Sequence, residues 1–305
     1  MARFLNFGSL NIDYVYRVDH FARSGETLAA LDRETFVGGK GLNQSIALAR
    51  AGAQVFHAGC CGAEDGEPLL EALRRRGVDV GLIRKTAAPS GHAIIQVDRE
   101  GRNCILLFGG ANESVTETQA RETLARFGEG DVLLLQNEIS RVSAIAEMAV
   151  ERGLRIAYNP SPANDAVHEA LKHKLDFIIL NEIEARMISG AEDSRDQLEA
   201  LAGRFPQTAI ALTRGREGAF YRKGAEEYRH GIYDVAVKDT TAAGDTFTGF
   251  FIARLLQGDA PPEALRLASI AASLAVSRPG ASPSIPSLEE VYGSSLRPAG
   301  PSPGA

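Results

Sequence analysis

Along most of its length this chain repeats one figure: a short apolar run without polar interruption, then a stretch with helical spacing. Val132, Leu133, Leu134 and Leu135 are the plainest case, followed by helical spacing from Val142 to Arg152 and a second apolar run from Leu154 to Tyr158. A strand with one wet face alternates apolar and polar residues, whereas a strand that is apolar throughout is covered on both faces. Such strands joined through helices run parallel. The chain is therefore expected to be an α/β protein, with a mainly parallel central sheet between two helical layers in a three-layer α/β/α domain. Phe4 to Phe7, Val55 to Ala58, Leu175 to Leu180 and Thr208 to Thr213 supply further strands. Ser45 to Ala51 and Pro68 to Arg76 read as helices, the second stopped by Gly77.

Two stretches break the figure. Residues 12–38 and 91–108 alternate with period two, and the second forms a hairpin around a glycine-containing turn between Val97 and Asn103. Strands outside the α/β rhythm at two separate points predict a small second sheet, placed as a lid over the main domain. This divides the chain into a core of residues 1–11, 39–90 and 109–293, a lid of 12–38 and 91–108, and a Pro/Gly-rich tail, 294–305, expected to be disordered.

Composition removes several classes. Of 305 residues, 44% are hydrophobic and 24% charged, which disfavours disorder and fibrous repeats. Lys and Arg number 33 against 39 Asp and Glu, a net charge of −6, with no basic run of the kind a nucleic-acid groove needs. Cys60, Cys61 and Cys104 have neither metal-ligand nor redox-pair spacing and read as free thiols. The apolar start is too short for a signal peptide, and no run approaches the roughly 20 residues of a membrane span. A cytoplasmic protein without membrane or nucleic-acid partners is the expectation.

Neither a dinucleotide-binding GxGxxG after a strand nor a P-loop is present. Three glycine-bearing stations remain. In the first, Asp239 to Phe247, small residues precede a helical run from Thr248 to Gln257. Free N–H groups at such a helix start suit an anion, and Asp245 in the same turn could accept a proton from an attacking hydroxyl. Taken alone, a Gly-Asp at a helix start is an ordinary cap. The second station, Gly38-Gly39-Lys40-Gly41-Leu42-Asn43-Gln44, concentrates glycines in a way that is poor for a regular element, so the backbone there either turns tightly or touches a ligand. The third, Gly8 to Asp13, follows the first strand, where parallel sheets place ligand groups. Asn11 and Asp13, two apart on extended chain, point the same way.

Together these three stations, with Gln136-Asn137-Glu138, Asn159 to Pro162, Asn181 to Glu184, Thr213 to Gly215 and Gly280 to Ser284, resemble the ribokinase family of sugar kinases, in order from about residue 4 to 292. The resemblance implies transfer of the ATP γ-phosphoryl group to a sugar hydroxyl, with Mg²⁺. It implies that Asp245 is the catalytic base and that Ala242, Ala243, Gly244 and Asp245 form the anion hole. It assigns the sugar to Asn11, Asp13, Gly39, Lys40, Asn43, Glu138 and Asp245. ATP falls to Asn181, Thr213, Gly215, Gly218, Gly244 and Ser269, with Glu184 helping to hold Mg²⁺ through water. A monovalent cation, K⁺, is implied at Asp239, Thr241, Ala275, Arg278, Gly280 and Ser284, mostly through backbone carbonyls.

The first station of the chain, Gly8 to Asp13, is similar to the ribokinase branch rather than to the phosphosugar kinases, so ribose is the expected acceptor. Deoxyribose, fructose, 2-keto-3-deoxygluconate and nucleosides are the alternatives. A sugar- or nucleotide-binding regulator without catalysis is the alternative of another class, and the intact Ala242 to Asp245 turn weighs against it. Ile94, Val97 and Ile105 on the lid are expected to meet a second subunit, as relatives commonly form homodimers through this sheet.

Overall fold

The computed structural model describes residues 2–299. Its strands are β1 (Arg3–Phe7), β2 (Asn11–Arg17), β3 (Asp32–Gly38), β4 (Gln54–Gly62), β5 (Asp79–Thr86), β6 (Gly91–Val97), β7 (Asn103–Phe108), β8 (Val132–Gln136), β9 (Arg155–Asn159), β10 (Phe177–Asn181), β11 (Ala209–Thr213), β12 (Ala219–Lys223) and β13 (Glu226–His230). Nine of them form one sheet in the order β13-β12-β11-β10-β9-β8-β1-β4-β5. All neighbours from β11 to β5 are parallel, and only β12 and β13 run antiparallel at one edge. The remaining four form a second sheet, β3-β2-β6-β7.

The unbroken apolar strands are covered on both faces. Phe4 and Leu5 are adjacent in β1 and at most 1% exposed, yet they enter opposite cores. Phe4, Val132 and Leu134 pack toward the helices Lys40–Arg50, Ala243–Leu256 and Pro261–Val276. Leu5, Leu133 and Leu135 pack toward Ile145 and Ala149 of the helix Val142–Glu151. This is the three-layer α/β/α arrangement, with the period-two stretches forming the small sheet.

Four local features differ from the reading of the sequence. The first helix begins at Lys40, not Ser45, and takes Gly41 into its first turn. A side chain at Gly41 would strike the backbone of Gly8 and Ser9, so tertiary contact overrides the poor helix propensity of glycine. Strand β5 alternates exposed and half-buried positions at the sheet edge, and the charged β13 pairs with β12 through Tyr221 and Tyr228; neither carries the apolar run that marks the inner strands. The described part of the segment expected to be a disordered tail makes contacts with the chain after β13: Pro298 bridges Tyr233, Asp234 N–H donates to the Arg297 carbonyl and Ala299 N–H to the Ile232 carbonyl. Residues 300–305 of that segment lie outside the described residues. No helix among the described residues is long and apolar enough to cross a membrane.

Candidate active site

Five neighbouring parallel strands end on one side of the main sheet with a polar residue or a turn. Thr213, Asn181, Asn159 and Gln136 close β11, β10, β9 and β8, and Gly8 follows β1. Ligands of open α/β sheets bind beyond the carboxyl ends of the strands. Here a cavity of about 230 Å³ lies there, lined by Lys40, Asn159, Asn181, Glu184, Thr213, Thr240, Ala242, Ala243, Gly244 and Asp245.

Two helices point their first turns at this place. The helix Ala243–Leu256 starts after Ala242, which is held at φ 61°, a left-handed conformation uncommon for a residue with a Cβ. Among the expected anion-hole positions, Ala243 N–H is turned to the Thr240 carbonyl at 3.3 Å. The Gly244 and Asp245 N–H groups have no acceptor among the described residues. Asp245 is 8% exposed, and both its oxygens are engaged: Asn43 Nδ2 donates to Oδ2 at 3.0 Å, and Gln44 Nε2 to Oδ1 at 2.9 Å. Asn43 Oδ1 is buried with no donor, leaving an acceptor at the site. Gly39, with φ 92°, supplies the turn that lets β3 run straight into the helix carrying Lys40, Asn43 and Gln44.

Charge around Lys40 is arranged as a cluster. Burial works against its ammonium, but the carboxylates of Asp245, Glu138 and Glu184 outweigh this and raise its pKa. Glu138 is pushed up chiefly by burial, and its Oε2 accepts from Ser9 Oγ at 2.6 Å and from Lys40 N–H at 3.0 Å. Asp13 on β2 is raised to about 7, first by burial and then by the charge of Glu138. Asn11, at the start of β2, has its Oδ1 on Asn112 Nδ2 at 2.7 Å, so that atom ties β2 to the chain leaving β7.

The positions expected to meet ATP are only partly brought together. Asn181, Thr213, Glu184 and Gly244 line the cavity; Gly215 and Gly218 stand in the short turn after β11, and Ser269 is buried on the helix Pro261–Val276 away from the cavity lining. Asn181 and Glu184 form a capping box: Asn181 Oδ1 accepts from Ile183 and Glu184 N–H, while Glu184 accepts from Asn181 N–H at 2.8 Å and from its Nδ2 at 3.0 Å. Glu184 is 4% exposed and raised by burial, not a solvated surface acid.

Among the described residues no group of three or more His, Cys, Asp or Glu gathers to hold a metal. The carboxylates that do line the cavity are Glu184 and Asp245, a sparse set of the kind Mg²⁺ accepts, since that ion is commonly bound by one or two carboxylates with water and the substrate's own phosphates. Asp239 Oδ1 accepts from Thr241 N–H and Oγ1, and Oδ2 from Gly280 N–H at 2.9 Å, joining the two segments that carry the remaining cation positions. The Ala275 carbonyl accepts from Arg278 N–H, the Arg278 side chain is paired with Glu290, and Ser284 Oγ donates to the Ala281 carbonyl. Asp239, Thr241 and Gly280 are thus brought together. For Ala275, Arg278 and Ser284, the atoms just named are engaged within the protein.

Gln44, Asn159, Gln136, Ser9 and Asn112 received no role from the sequence, yet they position the cluster. The available signal was the single polar residue that ends each apolar strand: Gln136 after Leu135, Asn159 after Tyr158, Asn181 after Leu180 and Thr213 after Leu212.

A pocket at the ends of a parallel sheet, with a buried carboxylate on a helix start whose N–H groups are open, defines a phosphotransferase that acts on a hydroxyl group. Residues 1–288 match the pfkB family carbohydrate kinases. A ribokinase of Haemophilus influenzae is 36% identical over 93% of this chain and 95% of its own length. The crystal structure of ribokinase from Thermotoga maritima superposes with a TM-score of 0.84 at 32% identity, covering 96% of this chain and 99% of that one. Arabidopsis thaliana ribokinase, complexed with ribose and ATP, also gives 0.84, at 29% identity over 96% and 98% of the two chains. The chain belongs to the pfkB family of carbohydrate kinases.

Proposed function

We propose that this kinase transfers the γ-phosphoryl group of ATP to a hydroxyl of ribose, giving ribose 5-phosphate, with Asp245 as general base. The carrying observation is the Asp245 carboxylate, buried at the cavity and fixed at both oxygens by Asn43 and Gln44. In this reading the acceptor hydroxyl gives its proton to Asp245 as its oxygen attacks the γ-phosphorus and ADP departs. Gly244 and Asp245 N–H groups, with Lys40, meet the negative charge on the phosphoryl oxygens, where a fixed donor is worth about 10²–10³ in rate. Asp13, Glu138, Asn11, Asn43 and the Gly39 turn hold the sugar; Asn43 Oδ1 is free to accept from it. The nucleotide lies along Asn181, Thr213, Gly215 and Gly218.

Glu184 would hold Mg²⁺ through water, and the ion would neutralise the phosphate charge. K⁺ would sit against the Asp239-to-Thr241 and Gly280 segments and steady the open helix start. Ribose is favoured because relatives alike over nearly the whole chain carry that activity in their names. The small sheet acts as a lid and as the face of a homodimer. A coupled ADP-release assay with ATP, Mg²⁺ and K⁺ across ribose, deoxyribose, fructose, 2-keto-3-deoxygluconate and nucleosides tests the acceptor. A dominant response to ribose supports the reading, and a dominant response to another sugar moves the acceptor while leaving the chemistry.

A further inference from the structure

Asp245 stands at one end of a buried chain of neutral side chains that reaches through β8 to Asn6 on β1. Gln44 Nε2 donates both to Asp245 Oδ1 and to Asn159 Oδ1, at 2.9 and 2.8 Å. Gln44 Oε1 accepts from Gln136 Nε2 at 2.7 Å, and the same Gln136 amide donates to Asn6 Oδ1 at 2.9 Å. Gln44 is fully buried and Gln136 1% exposed, so water does not compete for these bonds.

The direction of the chain is set from outside the site. Asn159 Nδ2 is tied to the Ile179 carbonyl at 2.8 Å, which turns its oxygen toward Gln44. Asn6 Nδ2 is tied to the Gly41 carbonyl at 2.7 Å, which turns its oxygen toward Gln136. Both anchors are main-chain acceptors on formed elements and accept only. With both ends fixed, Gln136 has to present N–H to Gln44, and Gln44 has to present N–H to Asp245. A flipped Gln44 would set its oxygen against both a carboxylate and the Asn159 oxygen. Amide side chains do not relay protons, so the chain holds geometry and carries no proton current.

We infer that Gln44 is a positioning residue for Asp245, and that Gln136 keeps the Gln44 amide pointing the right way. The inference rests on the reading of Asp245 as the base. Asn43 on one oxygen and Gln44 on the other stop the carboxylate turning about its Cβ–Cγ bond, and leave each oxygen a lone pair for the acceptor hydroxyl. Loss of either tether lets the carboxylate swing away from the line of attack.

The test is steady-state kinetics on the full chain carrying Gln44→Leu, the isosteric Gln44→Glu, Gln136→Leu, Asp245→Asn and the double variant Gln44→Leu with Asp245→Asn. An ATP-dependent rise in Tm identifies the variants with a formed site. Gln44→Leu and Gln44→Glu should lower kcat by about 10- to 100-fold, the cost of misplacing a reacting group by around an ångström. KM for sugar and for ATP should stay within about threefold, since neither substrate loses a contact. Gln136→Leu should lower kcat less and in the same way. Adding Gln44→Leu to Asp245→Asn should change kcat by less than about threefold, because residues that act as a unit are not additive. Unchanged kcat in folded Gln44 variants beside an inactive Asp245→Asn, or multiplicative losses in the double variant, would overturn the inference alone. Near-normal kcat in Asp245→Asn would overturn the reading of Asp245 and this inference with it.

Discussion

Asp13 and Asp245 are the two aspartates proposed to meet the sugar, and their surroundings differ. Asp245 receives two amide donors, whereas Asp13 lies near Glu138 and is raised to about 7 by burial and that charge. For Asp245→Asn the expected outcome is a fall in kcat of about 10²–10⁴, the range of general-base catalysis, with ribose and ATP still bound in calorimetry. Asp13 gives a pH signature. Its pKa in the folded protein lies above the ordinary 3.8, so between those values the folded state holds a proton that the unfolded state releases. Stability is therefore lost as pH rises from about 4 toward 7 and is level above. Asp13→Asn should raise Tm at pH 8 relative to the parent protein, with little gain at pH 4, while weakening sugar binding. A Tm at pH 8 equal to or below that of the parent would count against this account.

At the scale of elements, β7 is exposed along its whole length at the edge of the small sheet. Ile105, Leu106, Leu107 and Phe108 are 48–67% exposed, a contiguous apolar edge that natural proteins usually cover or blunt. With Ile94 on the neighbouring strand, this is the face proposed for the homodimer. Light scattering should give twice the chain mass of 32.6 kDa, and Leu106→Lys should return it to the single-chain value. A monomer in the parent protein would refute the assignment. The lid strands were legible as short strands outside the α/β rhythm, but β7 does not alternate: Ile105 to Phe108 are apolar in succession and all exposed. The edge strand β5 and the charged hairpin β12–β13 were not legible, because their place comes from partners distant in sequence.

Across the whole molecule, buried polar groups join β1, β4, β8 and β9 behind the site. His57 on β4 is fully buried, with Nδ1 at 2.7 Å from Ser45 Oγ and Nε2 at 3.2 Å from the Gly8 carbonyl. Burial pushes its pKa down from 6.5 to about 4. In that window the unfolded chain takes up a proton that the folded protein refuses, so stability falls as pH drops from about 6.5 to about 4. His57→Gln should flatten this part of the difference in urea-unfolding free energy between pH 7 and pH 4.5. An unchanged pH dependence would show that the imidazole is not the group responsible. The core itself should answer to volume: Leu133→Ala in the middle of β8 should cost about 2–5 kcal/mol, read from the same unfolding curves.

What the sequence determined by itself was whatever depends on neighbours along the chain. Unbroken runs such as Val132 to Leu135 pointed to a sheet buried on both faces, the stretches outside the α/β rhythm marked the small sheet, and the glycine stations located the turns. Asp245, Lys40 and Asn43 were singled out because their motifs are contiguous. Tertiary structure alone decided what depends on approach across the fold. Gly41 became helical because Ser9 lies against it, and Glu184 was buried in a capping box instead of standing in solvent. Ala243 N–H was turned to Thr240, and the segment 294–299 found a bridging partner in Tyr233. Gln44 and Gln136, 92 residues apart, were joined behind the carboxylate. Hydrogen bonds between buried amides depend on distance and direction in space, and those are set only when the layers have packed.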